Sequence, residues 1–277
     1  MSASSPAPWS SSYRLIAAEK WRSKSAVLGS AVTKALVEYS LLQPGMKVLD
    51  LASGTGEPGI SLAQRVGPEG HVTAADLSSD LLELAGQRAK SKGLANFSTQ
   101  EADAHKLPFP NQNFDLATCR FGVMFFADAE GALTELRRVL KAGARACFAA
   151  WGTFEQPYWQ TTMKLVHQHV GGTMLAPGGA DPFCFSKPGT LAEVLRAAGF
   201  QEVEESARSL PWTWPGDADE VFEYACAVSA PFRPMLERVS ADQWLAIRAD
   251  AKQAIERYRV GDELRFGAEV VFVSGKA

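Results

Sequence analysis

Residues 48–63 read VLDLASGTGEPGISLA, and the reading of the chain starts there. Gly54, Gly56 and Gly59 follow an apolar run and open a segment with helical spacing, which is the G-x-G-x-x-G pattern of a strand–loop–helix unit that binds a nucleotide. Loops of this spacing commonly hold a pyrophosphate on the amides of the helix N-terminus. Here Asp50 stands four residues before the first glycine, and Glu57 lies inside the motif. Two carboxylates would repel a diphosphate unless turned away, so the loop favours a ligand without phosphate, and a cationic one above all.

Working outward, strands and helices alternate. KVLDLA is followed by a helix over about Pro58 to Val66, HVTAAD by a helix capped at Ser78 or Ser79, and FSTQEA by FDLATC. Ala132, Leu133, Leu136, Val139 and Leu140 mark one more amphipathic helix before the strand RACFAAW. Apolar strands joined by helices give a parallel sheet covered on both faces, with ligands beyond the carboxyl ends of its strands. The fold class expected is α/β, a Rossmann-like doubly wound sheet. Ahead of it, Arg14 to about Leu42 has a helical pattern that includes Leu15, Ile16 and Trp21. After Trp151 come a helical piece near Tyr158 to Val170, a capping box at Thr190–Glu193, the strand FQEVEESARSL, two helices with a capping box at Ser240–Gln243, and the strand EVVFVSG.

Asp76 closes the second strand, where a carboxylate can accept from both ribose hydroxyls. Asp103 follows the third strand in EADAHKLPF, where it can accept from the exocyclic amine of an adenine. Three acids at three successive strand ends suit S-adenosylmethionine, a nucleoside with a sulfonium, an ammonium and no phosphate.

Bulk properties set limits. The 277 residues carry 46% hydrophobic and 21% charged side chains with a net charge of −3, which does not favour a nucleic-acid partner. The basic runs KWRSK, RAKSK and LRRVLK read as solvated helix faces. Cys119, Cys147, Cys184 and Cys226 lie far apart, so no metal site is expected and a reduced, cytoplasmic protein is. Residues 1–12 read as a flexible tail rather than a signal peptide, and no apolar run has membrane-spanning length, so no membrane partner is expected.

The ordered motifs VLDLASGTGEPG, AADLS, EADAHKLPFPNQNFDLATCRFGVMFF and ELRRVLKAGARACFAAW resemble class I S-adenosylmethionine-dependent methyltransferases, in the branch of the ubiquinone/menaquinone biosynthesis enzymes. The resemblance spans residues 40–151 and continues more loosely through 190–210 and the final strand. It implies seven strands, the last antiparallel and inserted beside the sixth. It also implies that Asp50, Ser53, Gly54 and Gly56 line the methionine part of the cofactor, with Ala52 and Thr55 also among the cofactor-binding residues. Asp76 would hold the ribose, Leu77 would flank the adenine, and Asp103 with Ala104 would meet its amine and ring nitrogen. Cys119 and Arg120 would lie beside the transferable methyl.

The remaining segments, 13–42, 152–188 and 211–265, are expected to form a cap on a methyltransferase domain of residues 13–277. Their many aromatics suggest a small lipophilic or aromatic acceptor, with Phe121, Trp151 and Phe154 as lining residues. His169, on the helical face of Tyr158 and Leu165, is a candidate general base, with His167 at the edge of that face. His71 reads as structural and His105 as near the cofactor. Arg120 could bind an anionic acceptor or the cofactor carboxylate, or serve a salt bridge. The expected assembly is a monomer or a homodimer. Competing readings are a repurposed or non-catalytic binder of the same cofactor, a nicotinamide-dependent oxidoreductase, and a nucleic-acid or protein methyltransferase. The last is disfavoured because CRFG stands after the fourth strand.

Overall fold

The structure is a computed structural model, and it describes residues 22–277. The tail expected over residues 1–12, and Leu15, Ile16 and Trp21, lie outside the described residues.

The first apolar run forms β1 (Lys47–Leu51), four of whose five residues are buried. It is flanked by β2 (His71–Asp76) and β4 (Phe114–Arg120), both parallel to it. β3 (Phe97–Glu101) pairs outside β2, and β5 (Leu140–Trp151) pairs outside β4. The long β8 (Glu263–Lys276) then runs antiparallel to β5, with Trp151 opposite Val270 and Arg145 opposite Lys276. β6 (Gln201–Pro215) lies outside β8, giving the order β3-β2-β1-β4-β5-β8-β6, and the two-residue β7 (Arg259–Val260) pairs with β8 off this path. The expected insertion of the last antiparallel strand beside the sixth is therefore present. The order reverses at β1 and β4, so the carboxyl ends of these two strands form the switch point.

Helices α1 (Arg22–Leu28) and α2 (Ser30–Tyr39) precede β1. α3 (Gly59–Val66) and α4 (Ser79–Ser91) pack on β1 to β3, and α5 (Ala129–Val139) packs on β5. Each buries a stripe of aliphatic residues, Ile60, Leu62, Ala63 and Val66 on α3 and Ala132, Leu133, Leu136 and Val139 on α5. The Ser78 hydroxyl accepts from Leu81 N at 3.4 Å, as the cap reading requires.

Two differences from the sequence reading have local causes. The piece near Tyr158–Val170 is two helices, α6 (Pro157–Thr161) and α7 (Met163–Val170), broken at Thr162. Thr161 and Thr162 each donate a hydroxyl back to the preceding turn, to Pro157 O at 2.8 Å and Tyr158 O at 2.6 Å, a competition with the helical ladder that bends the chain. The capping box expected at Thr190 is absent from α8 (Thr190–Ala197), whose N-cap is Gly189. Thr190 Oγ1 donates to Lys187 O instead, and Glu205 of β6 accepts from Gly189 N at 2.8 Å. The box at Ser240 does form, at the start of α11 (Ala241–Glu256), which follows α9 (Ala218–Val228) and the single-turn α10 (Arg233–Leu236).

Contacts divide the chain into two compact units. One comprises Ala31–Thr153, Pro182–Leu210 and Glu269–Ala277 and holds the body of the sheet. The other comprises the described residues up to Ser30, Phe154–Asp181 and Pro211–Ala268, and its core includes Tyr158, Trp159, Trp214, Phe232, Ile247 and Ile255.

Candidate active site

The glycine loop is built on one buried carboxylate. Asp50 Oδ2 accepts from Ser53 Oγ at 2.6 Å and from Gly59 N at 2.9 Å, while Oδ1 accepts from Thr118 Oγ1 at 2.8 Å. Asp50 has no exposed surface. Burial pushes its pKa up to about 6, against the pull of the Ser53 and Thr118 hydroxyls, the Gly59 amide and the Arg120 charge. Gly59 opens α3, so the positive end of that helix already faces a negative charge of the protein itself. Close approach requires glycine there, because a Cβ would lie 2.9 Å from Asp50 Oδ2 and 3.1 Å from the Phe97 ring. Glu57 also turns onto the loop, accepting from Ser61 Oγ at 2.7 Å. Both carboxylates thus take donors of the protein itself, three of them converging on Asp50.

The loop's outer side forms the rim. Ala52 takes a left-handed backbone, φ 53°, as β1 ends, and Ser53 N donates to Ala75 O at 3.0 Å. Gly54 N donates to Asp76 Oδ2 at 2.8 Å, and Ser78 N donates to Oδ1 at 3.0 Å. Asp76 is 8% exposed, and burial raises its pKa against the amides of Ser78, Gly54 and Leu77. Gly54 has φ 55°, and a Cβ built on it would meet nothing within 4 Å. Gly56 N donates to Ser53 O, its carbonyl accepts from Ile60 N at 2.7 Å, and Thr55 O accepts from Arg88 Nη1 at 3.0 Å. Leu77 is 52% exposed, an apolar surface beside Asp76.

Asp103 stands beyond β3 with its side chain 52% exposed, and Ala104 beside it is buried. The loop that follows is gathered by a residue that the sequence reading assigned to a solvated face. Arg138 of α5 donates Nη1 to Phe109 O and Asn111 Oδ1, Nη2 to Leu107 O, and Nε to Glu135 Oε2 at 2.7 Å. Glu135 Oε1 accepts from Leu107 N at 2.8 Å. Lys90, Lys92, Arg137 and Lys141 are exposed, as the reading of RAKSK and LRRVLK as solvated faces expects, and Arg88 and Arg138 are its exceptions: Arg88 donates to Thr55 O, and Arg138 to Phe109 O and Leu107 O. The only available signal was an arginine rather than a lysine, whose planar fork suits several acceptors at once.

At the end of β4, Cys119 has no exposed surface, and burial pushes its thiol up to about 12. Arg120 Nη1 donates to Thr33 Oγ1 of α2 at 2.7 Å. Phe121 follows in a left-handed conformation, φ 59°, rare for a bulky residue and concentrated at functional sites. Its ring stacks on Trp151 at the end of β5, with centroids 4.4 Å apart and planes 16° from parallel. The other two candidates belong to the second unit. Phe154 stacks on Phe232 with centroids 6.1 Å apart. His169 Nε2 lies 2.9 Å from Asp250 Oδ2, and its carbonyl accepts from Gln243 Nε2. His167 Nε2 donates to Gly172 O at 2.8 Å.

A phosphate-free sulfonium nucleoside fits the rim on observations internal to it. There is open space at Gly54, a carboxylate at Asp76, an exposed leucine beside it, and a second carboxylate at Asp103. Replacing Asp76 by Asn keeps an acceptor for Gly54 N but removes the charge. The expected loss in affinity for S-adenosylhomocysteine is about 1.5–3 kcal/mol, read by calorimetry, and unchanged affinity would refute the ribose assignment.

The sheet order, the glycine loop and the rim acids together define an S-adenosylmethionine-dependent class I methyltransferase fold. Residues 31–209 match the ubiE/COQ5 methyltransferase family, and the chain belongs to that family. It is 43% identical over 111 residues to the ubiquinone/menaquinone biosynthesis C-methyltransferase UbiE of Xanthomonas campestris, covering 40% of this chain and 44% of that one. It is 37% identical over 179 residues to the UbiE of Shewanella frigidimarina, covering 61% and 71%. The match thus spans less than half the length of the first relative. Among solved structures, the YcgJ protein of Bacillus subtilis shares the fold, with a TM-score of 0.56 and 20% identity over 88% of this chain and 97% of that one.

Proposed function

We propose that this protein moves a methyl group from S-adenosylmethionine to a small, lipophilic, aromatic or quinone-like acceptor by in-line displacement. The observation that carries the reading is the Asp50 carboxylate on Gly59 N. It puts a protein anion where a diphosphate would otherwise bind, and leaves Asp76 and Asp103 for a nucleoside that has none. The bound cofactor supplies an electrophilic methyl on sulfur. Ser53, Gly54 and Gly56 offer backbone to its amino-acid part, Asp76 orients the ribose, and Leu77, Asp103 and Ala104 frame the base. Orientation of two reactants in this way can contribute on the order of 7–11 kcal/mol.

The acceptor class is supported by the Phe121–Trp151 stack at the rim and by the names of the relatives, which are quinone-biosynthesis C-methyltransferases. His169 and Arg120 remain the candidates for moving a proton or holding charge on that acceptor. The segments 152–188 and 211–265 remain the proposed acceptor-side cap, and the cytoplasm the proposed place of action. Among the described residues no helix is long and apolar enough to cross a membrane.

Calorimetric titration tests the cofactor. S-adenosylhomocysteine is expected to bind with micromolar affinity and NAD to give no heat; binding of NAD in place of the homocysteine nucleoside would overturn the assignment.

A further inference from the structure

We propose that His105 is a positioning residue for the base-binding carboxylate, fixing Asp103 so that one oxygen is held by protein and the other is presented to the exocyclic amine of a purine. The inference rests on the reading that Asp103 meets the adenine.

Two donors from the same residue converge on one oxygen. His105 N donates to Asp103 Oδ1 at 2.9 Å, and His105 Nδ1 lies 2.7 Å from the same atom. A carboxylate only accepts, so Nδ1 carries the proton. Asp103 Oδ2 meets no donor among the described residues, and it is the oxygen free to accept from a ligand. The backbone amide and ring of His105 hold the carboxyl below the usual carboxylate range, which keeps it an acceptor.

The ring is anchored on its far side. Nε2 accepts from Asp128 N at 3.3 Å and lies 3.1 Å from Asp128 O. Asp128 is the N-cap of α5, its side chain accepting from Gly131 N at 2.9 Å, so it is itself fixed. The imidazole also packs against the Phe126 ring in a T-shaped arrangement, with centroids 6.2 Å apart. One side chain therefore spans from the loop after β3 to the loop after β4. Only imidazole carries two nitrogens on opposite sides of a rigid ring, which is what a brace between two loops requires. Without it, a side chain as exposed as Asp103 would sample several rotamers and lose that freedom on binding.

The test is calorimetric binding of S-adenosylhomocysteine and of its deaminated analogue S-inosylhomocysteine, which has a carbonyl in place of the amine. The wild-type protein is expected to prefer the adenine form by roughly tenfold or more. His105→Ala should lose most of that preference, through weaker binding of the adenine form alone. His105→Asn, which keeps a donor in reach of Oδ1, should restore part of it. A wild-type preference retained in His105→Ala but lost in Asp103→Ala would overturn the brace and leave the adenine reading standing. An equal loss for both ligands in His105→Ala would also overturn it. A preference retained in Asp103→Ala, or absent from the wild type, would remove the adenine reading and the brace together.

Discussion

Replacing Asp50 by Ala is expected to cost about 3 kcal/mol of folding stability and to abolish binding of S-adenosylhomocysteine. The substitution leaves three donors buried without their acceptor, the Gly59 amide and the hydroxyls of Ser53 and Thr118, and takes a negative charge away from Arg120. Against a typical total of 5–15 kcal/mol, this shift will be plain in a urea midpoint. Asp50→Asn should cost less, because its oxygen can still serve Gly59 and Ser53 while its amide donates to Thr118 Oγ1. A pH dependence separates the two. With the folded pKa at about 6, above the unfolded value near 4, the folded state holds the extra proton across that window. The Asp50 contribution to stability therefore falls as pH rises from about 4 to 6, and the Asn variant should lose that slope. An alanine variant of wild-type stability would show that the loop does not depend on this carboxylate.

The second large effect is expected from Gly54→Val. The built Cβ meets no protein atom within 4 Å, so the side chain would fill the space assigned to the cofactor rather than break the core. Affinity for S-adenosylhomocysteine should fall at least 100-fold by calorimetry, an effect of about 2.7 kcal/mol. The positive φ adds strain of order 1–3 kcal/mol, so circular dichroism and a melting curve must accompany the titration. Gly54→Asn, which tolerates this backbone region better, should also weaken binding and separates strain from obstruction. Retained binding in either folded variant would remove the cofactor from this side of the loop.

Much of the fold was legible because its signals are local. Apolar runs of strand length, Ser78 three residues before Leu81, and Ser240 with Gln243 each carry their own instruction. The antiparallel insertion of β8 was legible only through resemblance, since nothing in EVVFVSG names its neighbours. What escaped was set by backbone groups and by distant partners. The Thr190 box failed because the Thr190 hydroxyl and amide both turn back to Lys187 O, while the Glu193 amide goes to Gly189 O. Arg88 and Arg138 read as solvent-facing because the loop carbonyls they reach, Thr55 O for one and Phe109 O and Leu107 O for the other, carry no residue identity in a sequence. Asp50 was placed correctly at the strand end, but its direction depended on Thr118, which lies 68 residues away.

The burial of Cys119 suits a protein proposed to hold an alkylating reagent. A thiolate at the rim would be the best nucleophile available to an electrophilic methyl, and the protein would inactivate itself. Burial pushes the Cys119 pKa up to about 12, so the group stays a thiol at neutral pH. The sulfur stays protonated at a strand end where a free one would be a hazard to such a reagent, so the burial that packs β4 would also guard the protein against the proposed chemistry.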